Sequence, residues 1–124
     1  MQSTQLSSRD VSPESWNEFL KDFSKRNENK PTRLEAVGFE VGAQVLEKSL
    51  PLVGVSYEPK GSEAGSVEII LGGDSRQMEH LVLHTTRITP LTGNHGVEDG
   101  LGFESEDGTR TLLIFEELPE LTSG

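Results

Sequence analysis

At 124 residues the chain has room for one domain and not for two of ordinary size. Only 32% of the residues are hydrophobic, so the core is small, yet they fall in periodic blocks, which excludes wholesale disorder. A net charge of -10 argues against nucleic acid and anionic membranes as partners, and the absence of cysteine excludes disulfides, thiolate catalysis and cysteine-held zinc.

The charge is uneven. Residues 96–124 hold eight acidic side chains against the single base Arg110, a net of -7 that leaves -3 for the first 95 residues. The basic residues Lys21, Lys25, Arg26, Lys30 and Arg33 gather near the end of the predicted helix, where cations complement its dipole. The N-terminus has neither the basic nor the apolar region of a secretory signal, and no run approaches the roughly 18 apolar residues of a membrane helix. Together these features predict a cytoplasmic protein.

Residues 1–10 are polar and serine-rich and predict a flexible tail, followed by a single domain over 11–121. Ser12 and Pro13 occupy N-cap and N1 positions, with Val11 placed to staple onto Trp16. Trp16, Phe19, Leu20 and Phe23 follow the i, i+3, i+4, i+7 spacing of a helical stripe. Burying those four side chains on a sheet stabilises by on the order of 8 kcal/mol before entropy. The helix runs out in the polar stretch Ser24 to Lys30, and Pro31 blocks its continuation.

From Thr32 the apolar period becomes two. Leu34, Ala36 and Gly38 alternate with Arg33, Glu35 and Val37 in a first strand; a turn near Glu40 to Gly42 leads to a second, Ala43 to Lys48. Val53, Val55 and Tyr57 mark a third segment bordered by Pro51 and Pro59, residues tolerated at strand ends and edges. After the polar turn Lys60 to Gly65, Val67 to Leu71 reads as a strand closed by Gly72, Gly73 and Asp74. His80 to His84 reads as another, with His80, Val82 and His84 sharing a face, and Arg87 to Leu91 as its continuation past a bend at Thr85 and Thr86. The glycine-rich stretch Thr92 to Gly100 predicts a mobile loop. Leu101 to Ser105 and Thr109 to Glu116 then flank Glu106-Asp107-Gly108, the turn chemistry of a tight hairpin. The unbroken run Leu112 to Phe115 predicts a central strand covered on both faces. The expected architecture is α+β: one N-terminal helix packed on a strongly bent, mostly antiparallel sheet, or a small half-open barrel, of about six strands.

No catalytic constellation accompanies this pattern. Gly72-Gly73 follows a strand, but neither helix nor lysine comes next as a phosphate loop requires; Gly61, Ser62 and Gly65 miss the spacing of a nucleophile elbow. Four positions along a strand hold His80 and His84 about 13 Å apart, too far for one metal. Glu79 precedes His80, so the H-E-x-x-H order is absent as well. His95, beside Glu98 and Asp99, is a better placed candidate for metal or acid-base chemistry. No catalytic, cofactor-binding or metal residue is assigned, and His80, His84, Arg87, His95 and Asp99 stand as candidates for a ligand site.

The order of three blocks, S-P-E-S-W-N-E-F-L-K-D-F-S, then G-A-Q-V-L-E-K-S-L-P-L-V-G-V-S-Y-E, then E-S-E-D-G-T-R-T-L-L-I-F-E, resembles a family of small bacterial single-domain proteins of unknown function. The resemblance covers roughly Val11 to Leu121 and implies no catalytic or ligand residue. The functional expectation is a non-enzymatic interaction module that binds a protein partner or itself, with Leu50, Leu52, Val53, Val55 and Tyr57 as the candidate sheet edge. The alternative is a small-molecule or metal-binding domain, a small hydrolase or isomerase, which requires at least two of the ligand-site candidates to converge in a pocket.

Overall fold

A computed structural model describes residues 10–38, 42–59, 65–73, 76–93 and 96–116. A 3-10 turn, Pro13–Ser15, leads into helix α1, Trp16–Arg26. Seven strands follow: β1 Pro31–Gly38, β2 Gly42–Glu58, β3 Ser66–Gly72, β4 Gln77–Val82, β5 Thr85–Thr92, β6 Glu98–Ser105 and β7 Arg110–Phe115. They form one sheet in the order β4-β3-β2-β1-β7-β6-β5, with every neighbouring pair antiparallel.

That order dictates the bend. In a flat sheet β4 and β5 would lie six spacings apart, about 29 Å at ~4.8 Å each. Only Leu83 and His84 connect them, and three Cα steps from Val82 to Thr85 reach at most ~11 Å. The sheet therefore rolls until its two edges approach. The Thr85 amide donates to the Gly65 carbonyl at 2.8 Å, and the Glu106 amide to the His84 carbonyl at 2.9 Å. Among the described residues the edges come near without pairing, so the sheet is strongly bent and not closed into a barrel, with seven strands rather than about six.

Two predicted strand boundaries change. His80 to His84 is not one strand continued by Arg87 to Leu91: β4 ends at Val82, Leu83 and His84 form the turn, and β5 runs along the opposite edge. His84 takes φ 50°, a left-handed conformation uncommon outside glycine, so no glycine marks the reversal. The segments Ala43 to Lys48 and Val53 to Tyr57 belong to one strand, β2, whose first half pairs with β1 and whose second half pairs with β3. The change of partner falls at Pro51, directly opposite Pro31. Two residues without an N–H face each other where the ladder can spare the donors, and Ser49 beside them takes φ 65°.

The loop predicted over Thr92 to Gly100 is shorter, since β5 runs to Thr92 and β6 starts at Glu98. β7 lies between β1 and β6, an interior strand as expected. Its Thr111 and Leu113 are buried while Leu112 and Ile114 are half-buried, so one of its faces is covered more than the other.

The aromatic stripe of α1 enters the core: Trp16, Leu20 and Phe23 are buried with Leu34, Leu52, Ile69, Leu71, Ile88, Leu101, Phe103 and Leu113. Trp16 meets Tyr57 edge-on with centroids 5.2 Å apart, and Phe23 stacks on Phe115 at 5.6 Å. Ser12 makes no side-chain cap bond; Val11 ties the entry instead, its carbonyl accepting the Trp16 indole N–H at 3.0 Å. Of the expected tail 1–10, residues 1–9 lie outside the described residues. Asp10 is held: it accepts the Thr89 hydroxyl at 2.7 Å and lies 3.2 Å from Arg87. At the other end of α1, Asn27 and Arg26 both bind the Glu98 carboxylate, at 3.0 and 2.8 Å.

Candidate functional site

The edge expected at Leu50, Leu52, Val53, Val55 and Tyr57 is not an edge. These residues lie on β2, third from the nearer side of the sheet, and Leu52 and Val55 are core residues at 0% and 4% exposure. Pro51 and Pro59 suggested a border, but long-range pairing with β1 and β3 encloses the strand. Beyond the end of β1, Ser24 of α1 takes up both backbone groups of Val55.

The true edges, β4 and β5, differ. On β5 the Ile88 carbonyl accepts the Val11 amide at 2.9 Å, Asp10 sits on Thr89 and Arg87, and Pro90 has no donor to offer. Among the described residues β4 has no such protection. Because Val55 turns its amide and carbonyl to Ser24, alternation along the ladder turns Gly54 and Ser56 toward β3. In β3 this directs Val67, Ile69 and Leu71 at Val82, His80 and Met78. The backbone groups of Gln77, Glu79 and Leu81 therefore point outward, and among the described residues no backbone hydrogen bond reaches them. Leu81 and Leu83, 42% and 48% exposed, extend this edge.

Side chains of β4 alternate across the sheet, so Met78, His80 and Val82 face inward. Beside them opens a cavity of about 310 Å3. His80, Leu83 and His84 form one wall, Glu106, Asp107, Thr109 and Thr111 the other, and Ala36 also contributes. The second wall belongs to the β6–β7 hairpin. Its turn closes through the Gly108 amide on the Ser105 carbonyl at 2.9 Å, with Gly108 at φ 92°. The bond from Glu106 to His84 locks the two turns together, which fixes the cavity mouth.

Burial pushes the His80 imidazole below its ordinary range, so it is neutral at neutral pH. Hydrogen bonds from Thr109, whose amide donates to Asp107 Oδ1 at 2.9 Å, hold the Asp107 carboxyl below the usual carboxylate range, and the nearby His84 adds to the effect. The cavity thus combines an uncharged imidazole, an anionic rim and apolar walls. Among the described residues no group of three or more histidine or acidic side chains could hold a metal ion.

Of the ligand-site candidates, His80 and His84 meet at this cavity, brought together by the turn rather than by a shared strand face. Arg87 lines a different depression with Thr89, Glu104 and Arg110. Asp99 is exposed on β6 away from the cavity, and His95 lies outside the described residues. Sequence reasoning missed the β4 edge and the wall formed by Asp107 and Thr111. One signal was available: Leu81 interrupts the polar outward positions Gln77 and Glu79, while Pro90 marks the other edge as protected.

Residues 7–123 match a family of sequences. The chain belongs to DUF5335, a family of unknown function. The DUF5335 match covers α1, all seven strands and both walls of the cavity. No curated protein and no solved structure matches the chain. Among the described residues of this DUF5335 member, no helix is long and apolar enough to cross a membrane.

Proposed function

We propose that the protein is a non-enzymatic interaction module that takes an extended segment of a partner protein by strand addition to β4. The observation that carries this reading is the difference between the two sheet edges. β5 is blocked by Pro90 and the Asp10–Val11 segment, whereas β4 presents the outward backbone groups of Glu79 and Leu81 beside two exposed leucines. The composition supports a cytoplasmic setting, and the charge of -10 supports a protein rather than a nucleic-acid partner.

Leu81→Pro tests the proposal, because the Leu81 amide points away from β3 and its loss removes no ladder bond. The tagged protein captured from its host is expected to retain a stoichiometric partner that Leu81→Pro loses while its circular dichroism is unchanged. Equal retention of that partner by folded Leu81→Pro would end the strand-addition reading.

A second reading, a small-molecule site, is favoured by the meeting of His80 and His84 at one cavity. It predicts a saturable rise in melting temperature with a metabolite, abolished by substitution of His80 and indifferent to Leu81→Pro.

A further inference from the structure

The cavity lies against the inward face of β4, where alternate side chains of an added strand would point. Its walls differ in chemistry. Ala36, Val82 and Leu83 are apolar, whereas the carboxylates Glu106 and Asp107 stand at the hairpin turn on the far side. Among the described residues no lysine or arginine lines the cavity. A site of this form suits a side chain with a hydrocarbon stem and a cationic end, since the stem can lie on apolar surface while the charge reaches the acidic rim. A glutamate in the same position would meet two like charges, and a leucine would leave the carboxylates without a partner.

We propose that the segment docked on β4 carries a lysine or arginine whose stem fills this cavity and whose charged head meets Glu106 and Asp107. The proposal rests on strand addition to β4 and adds the chemistry of the partner: an extended, basic segment with alternating side chains. The net charge of -10 extends the same complementarity over the whole molecule and speeds the encounter with a basic partner.

The test uses the isotope-labelled full chain titrated with the capped peptide Thr-Val-Arg-Val-Thr and with versions carrying leucine or glutamate in place of the arginine. Amide shifts report where each peptide binds. The expected result is movement of the Glu79 and Leu81 amides, with affinity in the order arginine, leucine, glutamate. The double variant Glu106→Gln with Asp107→Asn is expected to weaken the arginine peptide by about fivefold and to leave the leucine peptide unchanged. Should the arginine and leucine peptides bind alike, or the double variant lose nothing, while Glu79 and Leu81 still move, the basic-residue proposal falls and strand addition stands. Shifts confined to Thr109 and Thr111 would overturn strand addition and, with it, the docked basic segment that rests on it. Absence of binding by every peptide would overturn both. Concentration-dependent shifts of Glu79 and Leu81 without peptide would identify a second copy as the occupant and overturn the basic partner.

Discussion

The Ser24 hydroxyl accepts the Val55 amide at 2.8 Å and lies 3.1 Å from the Val55 carbonyl, so one side chain of α1 stands in for a neighbouring strand. The same hydroxyl is 2.8 Å from the Leu20 carbonyl, and its single proton has both carbonyls in reach. Ser24→Ala leaves the Val55 amide facing α1 without an acceptor. The expected loss is about 1–2 kcal/mol in a denaturant titration, with faster hydrogen exchange at the Val55 amide than at other β2 amides.

Glu98 anchors the end of α1 to β6 through Arg26 and the buried Asn27. Burial alone would raise the Glu98 carboxyl, but hydrogen bonds from Arg26 and Asn27, with the charges of Arg26 and Lys30, outweigh it and hold the pKa below its ordinary value. A depressed carboxylate contributes stability that is present above the unfolded pKa of about 4.3 and is lost as pH falls through the folded value. Glu98→Gln is therefore expected to cost about 1 kcal/mol across pH 5–8, discounted because Arg26 is half exposed. The deficit relative to wild type should shrink below pH ~4.3, as read from paired urea titrations.

His80 has the opposite charge logic and the same sign. Its folded pKa lies below the unfolded value of about 6.5 because burial disfavours the imidazolium. Above that pH both states are neutral and the group contributes nothing. As pH falls below it, the unfolded chain takes up the proton first, so stability declines until the folded imidazole also protonates. Thermal melts from pH 5 to 8 should show a slope in wild type that His80→Gln reduces. Identical slopes would remove burial as the governing influence on this side chain.

Gly100 has φ 155° and lies so close to β7 that an added Cβ would collide with the Leu113 carbonyl. Gly100→Ala must displace backbone on an interior ladder and is expected to cost at least about 2 kcal/mol. Gly96→Ala is the contrast: φ is 73° with open space around the missing Cβ, and the left-handed penalty alone costs about 1 kcal/mol. Denaturation midpoints of the two variants measure the difference.

The elements that the sequence made legible are those whose cause is local. Trp16, Leu20 and Phe23 recur at helical spacing and end up buried, and Glu106-Asp107-Gly108 forms the turn its composition predicts. What escaped depends on distant partners. Pro51 looked like a boundary because its missing donor is visible in the sequence, whereas its position opposite Pro31 is set by the fold. The reversal at Leu83-His84 carries no glycine or asparagine, so alternation ran through it unnoticed. His80 and His84 were recognisable as candidates by residue type. Asp107 and Thr111 were not, because a hairpin brings them to the cavity from the opposite side of the bent sheet.

Strands β1 to β4 form one meander and β5 to β7 another, each made of pairings between consecutive strands. A single ladder joins them, β1 with β7, running from Thr32 opposite Phe115 to Val37 opposite Arg110. Hairpins close over short stretches of chain, while this ladder must draw together residues separated by 73 to 83 positions. Its assembly is then expected to be the slow joining event of folding. Leu34 and Leu113, buried and facing each other across it, are the pair whose contact turns two marginal meanders into one cooperative molecule.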